Sequence, residues 1–374
     1  MSANEGPSLH VQGHVLLGHD HEVGEVWVRD GRVSLTRPSA QGSSMRRLDG
    51  WVLPGLVDVH CHVGLGADGP VDDATAEAQA TADRDAGVLL IRDAGSPRDT
   101  RWIQARADMP RLIRAGRHLA RPKRYLRHYG LELDDPEQLP EAVRTQARAG
   151  DGWVKLVGDW IDRSAGGEAD LAPLWPQDVL DAAVAAAHAE AARVTVHAFS
   201  DEVVPMLLAA GVDCIEHGTG IDPGTAVEIS DRGVAVTPTL LQIAQFETFA
   251  AQADGKFPRF ASRMRRLHAR RYEQVRDLYD AGVQLLVGTD AGGTIDHGRI
   301  ADECSELVAA GLPARDVVAA ASWESREYLG CGGLVEGASA DFVVYPADPR
   351  EDIEVLRHPS AVVLRGKVVA GARA

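Results

Sequence analysis

Four short apolar runs carry, at or near their ends, side chains that can bind a divalent metal ion. PGLVDVHCH contains His60 and His62, and because strand side chains alternate, these two imidazoles are expected on the same side. VTVHAF carries His197, DCIEHG carries His217 and LLVGTDAG carries Asp290. Imidazole and carboxylate groups are typical ligands of zinc and related ions. The pattern predicts a metal centre assembled from several strand ends.

A lysine stands in the middle of another apolar strand. The stretch DGWVKLVGD, residues 151–159, places Lys155 between pairs of apolar residues. A buried ammonium group without a partner is so costly that it usually loses its proton. We therefore expect the site to need an amine at this position. The alternative is an ordinary lysine whose charge is paired or reaches solvent.

The elements that must position these residues follow a regular order between residues 53 and 330. Short buried-type strands alternate with helical patterns, which indicates a parallel sheet covered by helices. The eight predicted strands are residues 56–62, 88–95, 111–119, 153–159, 193–199, 213–218, 234–240 and 283–292. Eight strands predict an α/β fold with a closed (β/α)8 TIM barrel, whose active site lies at the carboxyl ends of the strands.

Helix signals support this order. Pro176 is expected to begin an alanine-rich helix through Ala192, and Ser200 or Asp201 to cap a helix that ends at Gly211. The long connection 241–282 is predicted to be helical, as a surface helix in preference to a cover over the barrel mouth.

Strand patterns also occur at both ends of the chain. EVWVRDGRVSL turns at Asp30-Gly31, and AVVLRGKVVAGA turns at Arg365-Gly366. We predict that residues 1–52 and 331–374 form a small β-sandwich domain, and that residues 53–330 form the metal-dependent hydrolase barrel.

Composition limits the partners. The net charge of −16 over 374 residues argues against nucleic acid and anionic membranes, although residues 111–130 hold seven Lys/Arg and no acid. That basic stretch is either a solvated loop or a device for holding an anionic group. Four separated cysteines, and the lack of a leader or a membrane-spanning pattern, favour the cytoplasm. We expect a small-molecule substrate, and a homo-oligomer is compatible with the sequence.

Taken together, PGLVDVHCH, VTVHAF, CIEHG, GTDAG and GGLVEGASADFVVYPADP resemble the landmarks of the amidohydrolase superfamily, most closely its prolidase-like, imidazolonepropionase-related group. The resemblance implies a barrel with a β-sandwich and two divalent ions, for which zinc is expected. It implies that His60, His62 and Asp290 hold one ion and that His197 and His217 hold the other. Lys155, carboxylated on N6, would bridge them.

The implied chemistry is hydrolysis of an amide or peptide C–N bond by a metal-bridging hydroxide. Asp290 would accept the water proton and pass it to the leaving nitrogen, with Asp93 as a rival for that role. In this group a histidine after strand three often contacts substrate. Here LRHYG offers His128, with Arg127 and Tyr129 beside it, which suggests a carboxylate-bearing dipeptide, N-acyl amino acid or lactam.

Two other functions stay open at this level. A mononuclear deaminase or cyclic-amidine hydrolase would use one metal, an ordinary Lys155 and an acid after strand five, for which Glu202 is the candidate. An inactive scaffold on the same fold is the remote alternative, and its sign would be lost metal ligands.

Overall fold

The structure, a computed structural model, describes residues 8–37 and 45–371. Residues 1–7, 38–44 and 372–374 of the predicted terminal domain lie outside the described residues. The strands of the described part are β1 Leu9–Leu16, β2 Glu22–Arg29, β3 Arg32–Ser34, β4 Arg46–Pro54, β5 Leu56–Cys61, β6 Leu65–Gly66, β7 Gly69–Pro70, β8 Val88–Asp93, β9 Arg111–Arg114, β10 Leu119–Ala120, β11 Leu131–Glu132, β12 Trp153–Val157, β13 Asp159–Ile161, β14 Leu171–Pro173, β15 Arg193–Ala198, β16 Cys214–His217, β17 Ala235–Thr237, β18 Phe342–Tyr345, β19 Ala361–Leu364 and β20 Lys367–Gly371.

Helices fill most of the connections between the central strands. They are α1 Asp73–Asp85, α2 Arg101–Gln104, α3 Leu139–Ala149, α4 Gln177–Ala189, α5 Val204–Ala210, α6 Pro223–Asp231, α7 Leu240–Ile243, α8 Phe246–Ala253, α9 Pro258–Asp280, α10 Ile300–Ala309, α11 Ala314–Ala321 and α12 Trp323–Tyr328. Within the described ranges, none of the helices combines the length and apolar character needed to cross a membrane.

The two ends of the chain meet in one mixed sheet of seven strands, ordered β20-β19-β18-β4-β1-β2-β3. Strand β4 pairs in parallel with β1 and antiparallel with β18, so the two ends join edge to edge. The structure thus shows one mixed sheet built from both ends of the chain, and the predicted sandwich stays a prediction. The turns predicted at Asp30-Gly31 and Arg365-Gly366 are confirmed, with positive φ at all four residues.

The central strands form two parallel sheets, ordered β5-β8-β9 and β11-β10-β12-β15-β16-β17, with parallel pairing throughout. The predicted strand 111–119 is split between them, because β9 ends at Arg114 and β10 belongs to the other sheet. The predicted strand 283–292 is present only as single bridges, Val236 to Leu285 and Cys61 to Ala291. The segment between those bridges nevertheless links β17 to β5, and Val59 N donates to Val287 O at 3.0 Å.

The helix predictions need small corrections. Helix α4 follows Pro176 as expected but ends at Ala189, and α5 begins only at Val204 and lacks a side-chain cap. Gly211 ends α5 in the left-handed conformation, as predicted. The connection 241–282 is helical, as α7, α8 and α9. It is not the plain surface helix that the sequence favoured, because it supplies several side chains to the cavity described below.

Candidate metal centre

Three side chains from two separate segments converge on one point. His60 and His62 lie at the end of β5, and Asp290 lies in the segment that follows Leu285. Asp290 Oδ1 is 3.1 Å from His60 Nε2 and 3.0 Å from His62 Nε2, and the two imidazole nitrogens are 3.2 Å apart. Three ligand atoms this close, in a largely buried setting, form the donor set that a divalent ion needs.

The tautomers of two histidines follow from their second partners. His62 Nδ1 donates to the carbonyl of Gly95 at 2.7 Å, which leaves Nε2 with its lone pair directed at Asp290 and His60. Thr239 donates its hydroxyl to the Pro238 carbonyl, so that hydroxyl accepts from His217 Nδ1 at 2.6 Å. Partners of this kind orient an imidazole for metal binding through Nε2.

Two residues of the candidate site, His217 and Asp290, have strained backbones. His217 has φ of 65° and Asp290 has φ of 56°, and neither is glycine. Left-handed conformations in non-glycine residues cost free energy and concentrate at functional sites. Because His217 leaves the strand geometry, it and the preceding Glu216 both reach the interior, although their side chains should alternate.

Burial holds the histidines neutral. His197 and His217 pack with ring centroids 4.6 Å apart, and the rings of His60 and His217 are 5.2 Å apart. Burial lowers the pKa of His60, lowers that of His217 to about 3, and lowers that of His197 well below its usual value. A neutral imidazole is the form that binds metal.

Lys155 is buried as predicted, but it is not unpaired. Its Nζ contacts the carboxylate of Glu216, which is also buried. Thr195 Oγ1 donates to the other oxygen of Glu216 at 2.7 Å, and Arg92 lies 3.6 Å from that same oxygen. Burial alone would raise the pKa of Glu216, but the charges of His60, Lys155 and Arg92 hold it well below its usual value. This contact matches the alternative of a paired lysine, and the need for an amine at this position stays a prediction.

Nearby carboxylates hold the backbone of the site. Asp58 accepts hydrogen bonds from His60 N at 3.0 Å and from the Thr289 hydroxyl at 2.6 Å, which ties β5 to the segment carrying Asp290. Asp159 accepts from the backbone N–H groups of Phe199 and Ser200, just beyond His197. Asp93, the rival of Asp290, accepts from Gly95 N and does not line the cavity.

A cavity of about 360 Å³ opens beside the candidate metal ligands. His62, His197 and Asp290 line it together with Tyr125, Trp160 and Arg163, and its other side is apolar. The apolar side comes mainly from α8, α9 and the turn between them, through Phe249, Phe257, Phe260 and Met264. Glu202, the acid of the mononuclear alternative, does not line the cavity and is paired with Arg263 at 2.7 Å.

The predicted substrate-binding residues are separated by the structure. Tyr129 is buried and lines the cavity, whereas Arg127 and His128 are exposed and do not line it. Arg163 is the cavity's arginine instead, and it begins the short 3-10 helix Arg163–Glu168 after β13, a residue that the sequence gave no reason to select. Among the described residues no carboxylate forms an ion pair with Arg163.

Sequence reasoning missed Glu216 and His118 near the candidate metal centre, whereas Tyr125 was expected only in the neighbourhood of the substrate. Glu216 stands one residue before a predicted ligand, and strand alternation turned attention away from it. Tyr125 packs edge-on to Trp160 at 4.9 Å and to His197 at 5.7 Å. His118 is fully buried with its ring 4.8 Å from that of His62, and neither of its ring nitrogens has a hydrogen-bond partner in the described part of the chain.

Residues 51–369 match the Amidohydrolase family, and this match spans most of the chain. The chain therefore belongs to the amidohydrolase family, and the predicted resemblance is confirmed. The uncharacterized protein Rv2915c of Mycobacterium tuberculosis is 52% identical over 360 residues, covering 96% of this chain and 95% of that protein.

Two characterised proteins are more distant. The crystal structure of a Xaa-Pro dipeptidase with bound methionine gives a TM-score of 0.79 at 23% identity, covering 96% of this chain and 99% of that chain. Ochratoxinase of Aspergillus niger is 25% identical over 235 residues, 61% of this chain and 48% of its own length. Its crystal structure gives a TM-score of 0.79 at 19% identity, covering 98% of this chain and 96% of that chain. At these structural identities the likeness establishes the shared fold alone.

Proposed function

We propose that this protein is a binuclear metal-dependent hydrolase that cleaves an amide bond in a small substrate bearing both a carboxylate and a large apolar group. The observation that carries the proposal is the meeting of His60 Nε2, His62 Nε2 and Asp290 Oδ1 within 3.2 Å of one another, beside a mainly apolar cavity. Membership of the amidohydrolase family supports it.

The proposed architecture is a closed barrel of residues 53–330 with a terminal domain from residues 1–52 and 331–374. The bridges from Leu285 to β17 and from Ala291 to β5 support closure on one side. On the other side, Asp151 N donates to Arg114 O at 2.8 Å, which links the start of β12 to β9.

The donor set fits two divalent ions. His60, His62 and Asp290 would hold one, and His197 and His217 would hold the other. His197 Nε2 is buried and has no hydrogen-bond partner among the described residues, as expected of a nitrogen reserved for a ligand. Two bound ions would supply a water that ionises near neutral pH and would polarise the scissile carbonyl. Zinc suits these nitrogen and oxygen donors.

We infer that Lys155 is carboxylated on Nζ and bridges the ions. The ammonium loses a proton, the amine forms a C–N bond with carbon dioxide, and a second proton leaves to give the anionic carbamate. Glu216 would then lose its lysine partner, but Arg92 and Thr195 remain beside it. The positive charges of Arg92 and of the two bound ions would offset the repulsion between Glu216 and the carbamate.

The chain's own residues supply proton transfer and orientation. Burial alone would raise the pKa of Asp290, but the neighbouring His60 holds it well below its usual value. Asp290 is placed to accept a proton from the attacking water and deliver it to the leaving nitrogen. Burial raises the pKa of Tyr125 well above its usual value, so the phenol keeps its proton and can donate to the carbonyl oxygen.

The cavity narrows the substrate class. Aromatic and aliphatic side chains from the α8–α9 region fit an apolar group, and Arg163 at the cavity fits a carboxylate. A Xaa-Pro dipeptidase and an ochratoxinase share the fold. Dipeptides and N-acyl amino acids with bulky apolar side chains are therefore the substrates to test first, followed by lactams.

The test compares two arginines. Arg163→Ala should raise KM for an N-acyl aromatic amino acid about tenfold or more, since a charge-assisted hydrogen bond contributes roughly 1.5–3 kcal/mol. Arg127→Ala, its matched control, should leave KM near the wild-type value because that side chain does not line the cavity. Initial rates of amine release at varied substrate concentration give both numbers.

The control substrate is the same N-acyl amino acid with its free carboxylate converted to an amide. It should be hydrolysed with similar KM by wild type and Arg163→Ala. An equal increase in KM for both substrates in Arg163→Ala would mean that Arg163 shapes the cavity without binding a carboxylate. Failure of the zinc-loaded wild type to release amine from any member of the three substrate classes would refute the proposed reaction.

A further inference from the structure

A second group of metal-binding side chains lies behind the proposed active site. It consists of Cys61 at the end of β5, Asp83 near the end of α1, and His297 in the segment before α10. One ligand atom from each residue lies within 4.8 Å of the other two. Cys61 stands between His60 and His62, so its side chain points to the opposite face of the strand. The group is therefore distinct from the site that those histidines build.

All three side chains are withdrawn from solvent. Cys61 is 0% and Asp83 1% exposed, and the side chain of His297 is 3% exposed. Asp83 accepts from Gly298 N and from His297 Nδ1, both at 2.7 Å. His297 Nε2 is buried and, in the described part of the chain, has no hydrogen-bond partner.

We propose that Cys61, Asp83 and His297 form a structural zinc site. A thiolate, an imidazole and a carboxylate are donors that zinc accepts. Zn²⁺ would replace the proton that His297 Nδ1 shares with Asp83, and the thiol proton of Cys61 would be released.

A fourth ligand is available nearby. Asp93 is paired with Cys61 in strand register, and its buried Oδ2 has no partner among the described residues. With it, the site would reach the four-coordinate geometry usual for structural zinc.

The site would fasten three parts of the chain to one another. Strand β5 and the residue after it carry two proposed active-site ligands, α1 packs against the neighbouring strand β8, and residue 297 lies seven positions after Asp290. Zinc bound here would hold the ends of β5 and of the Asp290 segment in place without contacting the substrate.

Cobalt substitution tests this site separately from the active site. Co²⁺ bound to a thiolate absorbs in the near ultraviolet through sulfur-to-metal charge transfer, and the proposed active site contains no sulfur ligand. Protein produced in cobalt-supplemented medium should show this absorption. His297→Gln and Asp83→Asn should lose it, together with about one cobalt ion per chain.

Two cysteine variants complete the experiment. Cys61→Ser should abolish the absorption, whereas Cys331→Ser, which removes another buried thiol, should keep it. Cobalt-loaded wild type without the absorption, or the absorption persisting in Cys61→Ser, would overturn the proposal. The wild-type spectrum decides the question even if a variant fails to fold, and it does not depend on whether an amide substrate is ever found.

Discussion

At the scale of single residues, Lys155 and Glu216 are each other's buried counter-ion. Neither side chain reaches solvent, so removing one leaves the other charge uncompensated, which typically costs about 3–5 kcal/mol. Glu216 keeps Thr195 and Arg92 as neighbours, whereas the structure gives the ammonium of Lys155 no second acidic partner within the described residues. The two residues are therefore not equivalent. Substituting each of them in turn distinguishes an ion-pair role of Lys155 from a metal-bridging role.

Lys155→Ala should remove one of the two zinc ions of the proposed active site, so that total zinc falls by about one ion per chain, and should reduce kcat by at least about a hundredfold, because that ion loses its bridging ligand. Elemental analysis of protein purified without chelator, with bicarbonate present, measures the first quantity. Steady-state assays with saturating zinc measure the second.

A small carboxylic acid distinguishes the two roles. The space vacated by the lysine side chain can admit acetate or propionate, whose carboxylate would replace the carbamate. Partial recovery of activity and metal content in Lys155→Ala is expected. Glu216→Gln, which breaks the same ion pair but keeps Lys155, should retain two ions. Metal content that is unchanged in Lys155→Ala would exclude the bridging role.

The proposed metal ligands could be selected from the sequence, but their neighbours could not. His60, His62 and His217 stand in motifs with a fixed relation to strand ends. Glu216 escaped because the left-handed backbone of His217 breaks the alternation on which the argument rested. Arg163 escaped because it lies in a short 3-10 helix, where neither periodicity nor spacing says which side chain faces the cavity.

At the scale of elements, Glu303 of α10 holds the start of α7. Its carboxyl accepts from Leu240 N at 2.7 Å and from Leu241 N at 2.9 Å. Burial raises the pKa of Glu303 from 4.5 to about 8. The folded chain thus keeps a proton that the unfolded chain releases above about pH 4.5, so this residue lowers stability as pH rises towards 8.

Glu303→Gln should remove that pH dependence. The stability of the variant relative to wild type should rise between pH 5.5 and 7.5, by up to about 1.4 kcal/mol per pH unit. Urea unfolding at both pH values, at one fixed zinc concentration, measures the difference. A relative stability that does not change between the two pH values would show that Glu303 titrates normally.

The wall formed around α8 and α9 should set the preference for apolar substrates. Phe260→Ala removes an aromatic ring from the cavity and should lower kcat/KM for an N-acyl aromatic amino acid about tenfold, because burying such a group contributes roughly 1.5 kcal/mol or more. The N-acetylglycine analogue should be affected far less.

Phe246→Ala is a suitable comparison, since that ring is fully buried and does not line the cavity. It should reduce stability without changing the ratio of kcat/KM between the two substrates. A ratio that shifts equally in both variants would mean that the wall does not contact substrate.

Strand bounds were predicted most accurately where signals in the adjacent sequence mark both ends of the strand. Strands β5, β8, β12 and β15 begin at the predicted residues and end within two residues of the predicted ends. The predicted bounds of the third and eighth strands were inaccurate for a common reason. Their pairing depends on distant partners, and in 283–292 the chain follows its neighbours through single bridges and side-chain contacts such as that of Asp58 with Thr289.

At the scale of the whole molecule, β4 connects the terminal sheet to the central sheets with only Gly55 before β5. Two hydrogen bonds secure this junction, from the Ser322 hydroxyl to Pro54 O at 2.7 Å and from Arg326 Nε to Gly55 O at 2.8 Å. The sequence identified strands at both ends but not their edge-to-edge pairing, because strand order is decided by long-range contacts. The proposed domain boundary, between residues 52 and 53, therefore falls within β4, close to the two hydrogen bonds that hold the junction with β5.

Metal ions should stabilise the entire fold, because their proposed ligands come from β5, β12, β15, β16 and the Asp290 segment, which meet only when the chain is folded. A ligand that binds only the folded state adds about 2.7 kcal/mol when its concentration is a hundred times its dissociation constant. Chelation should therefore lower the free energy of unfolding by several kcal/mol, and added zinc should restore it. A His60→Ala/His62→Ala variant should lose only part of this response, since the proposed Cys61–Asp83–His297 site remains. Identical urea unfolding curves for chelated and zinc-loaded wild type would show that metal does not contribute to the stability of the fold.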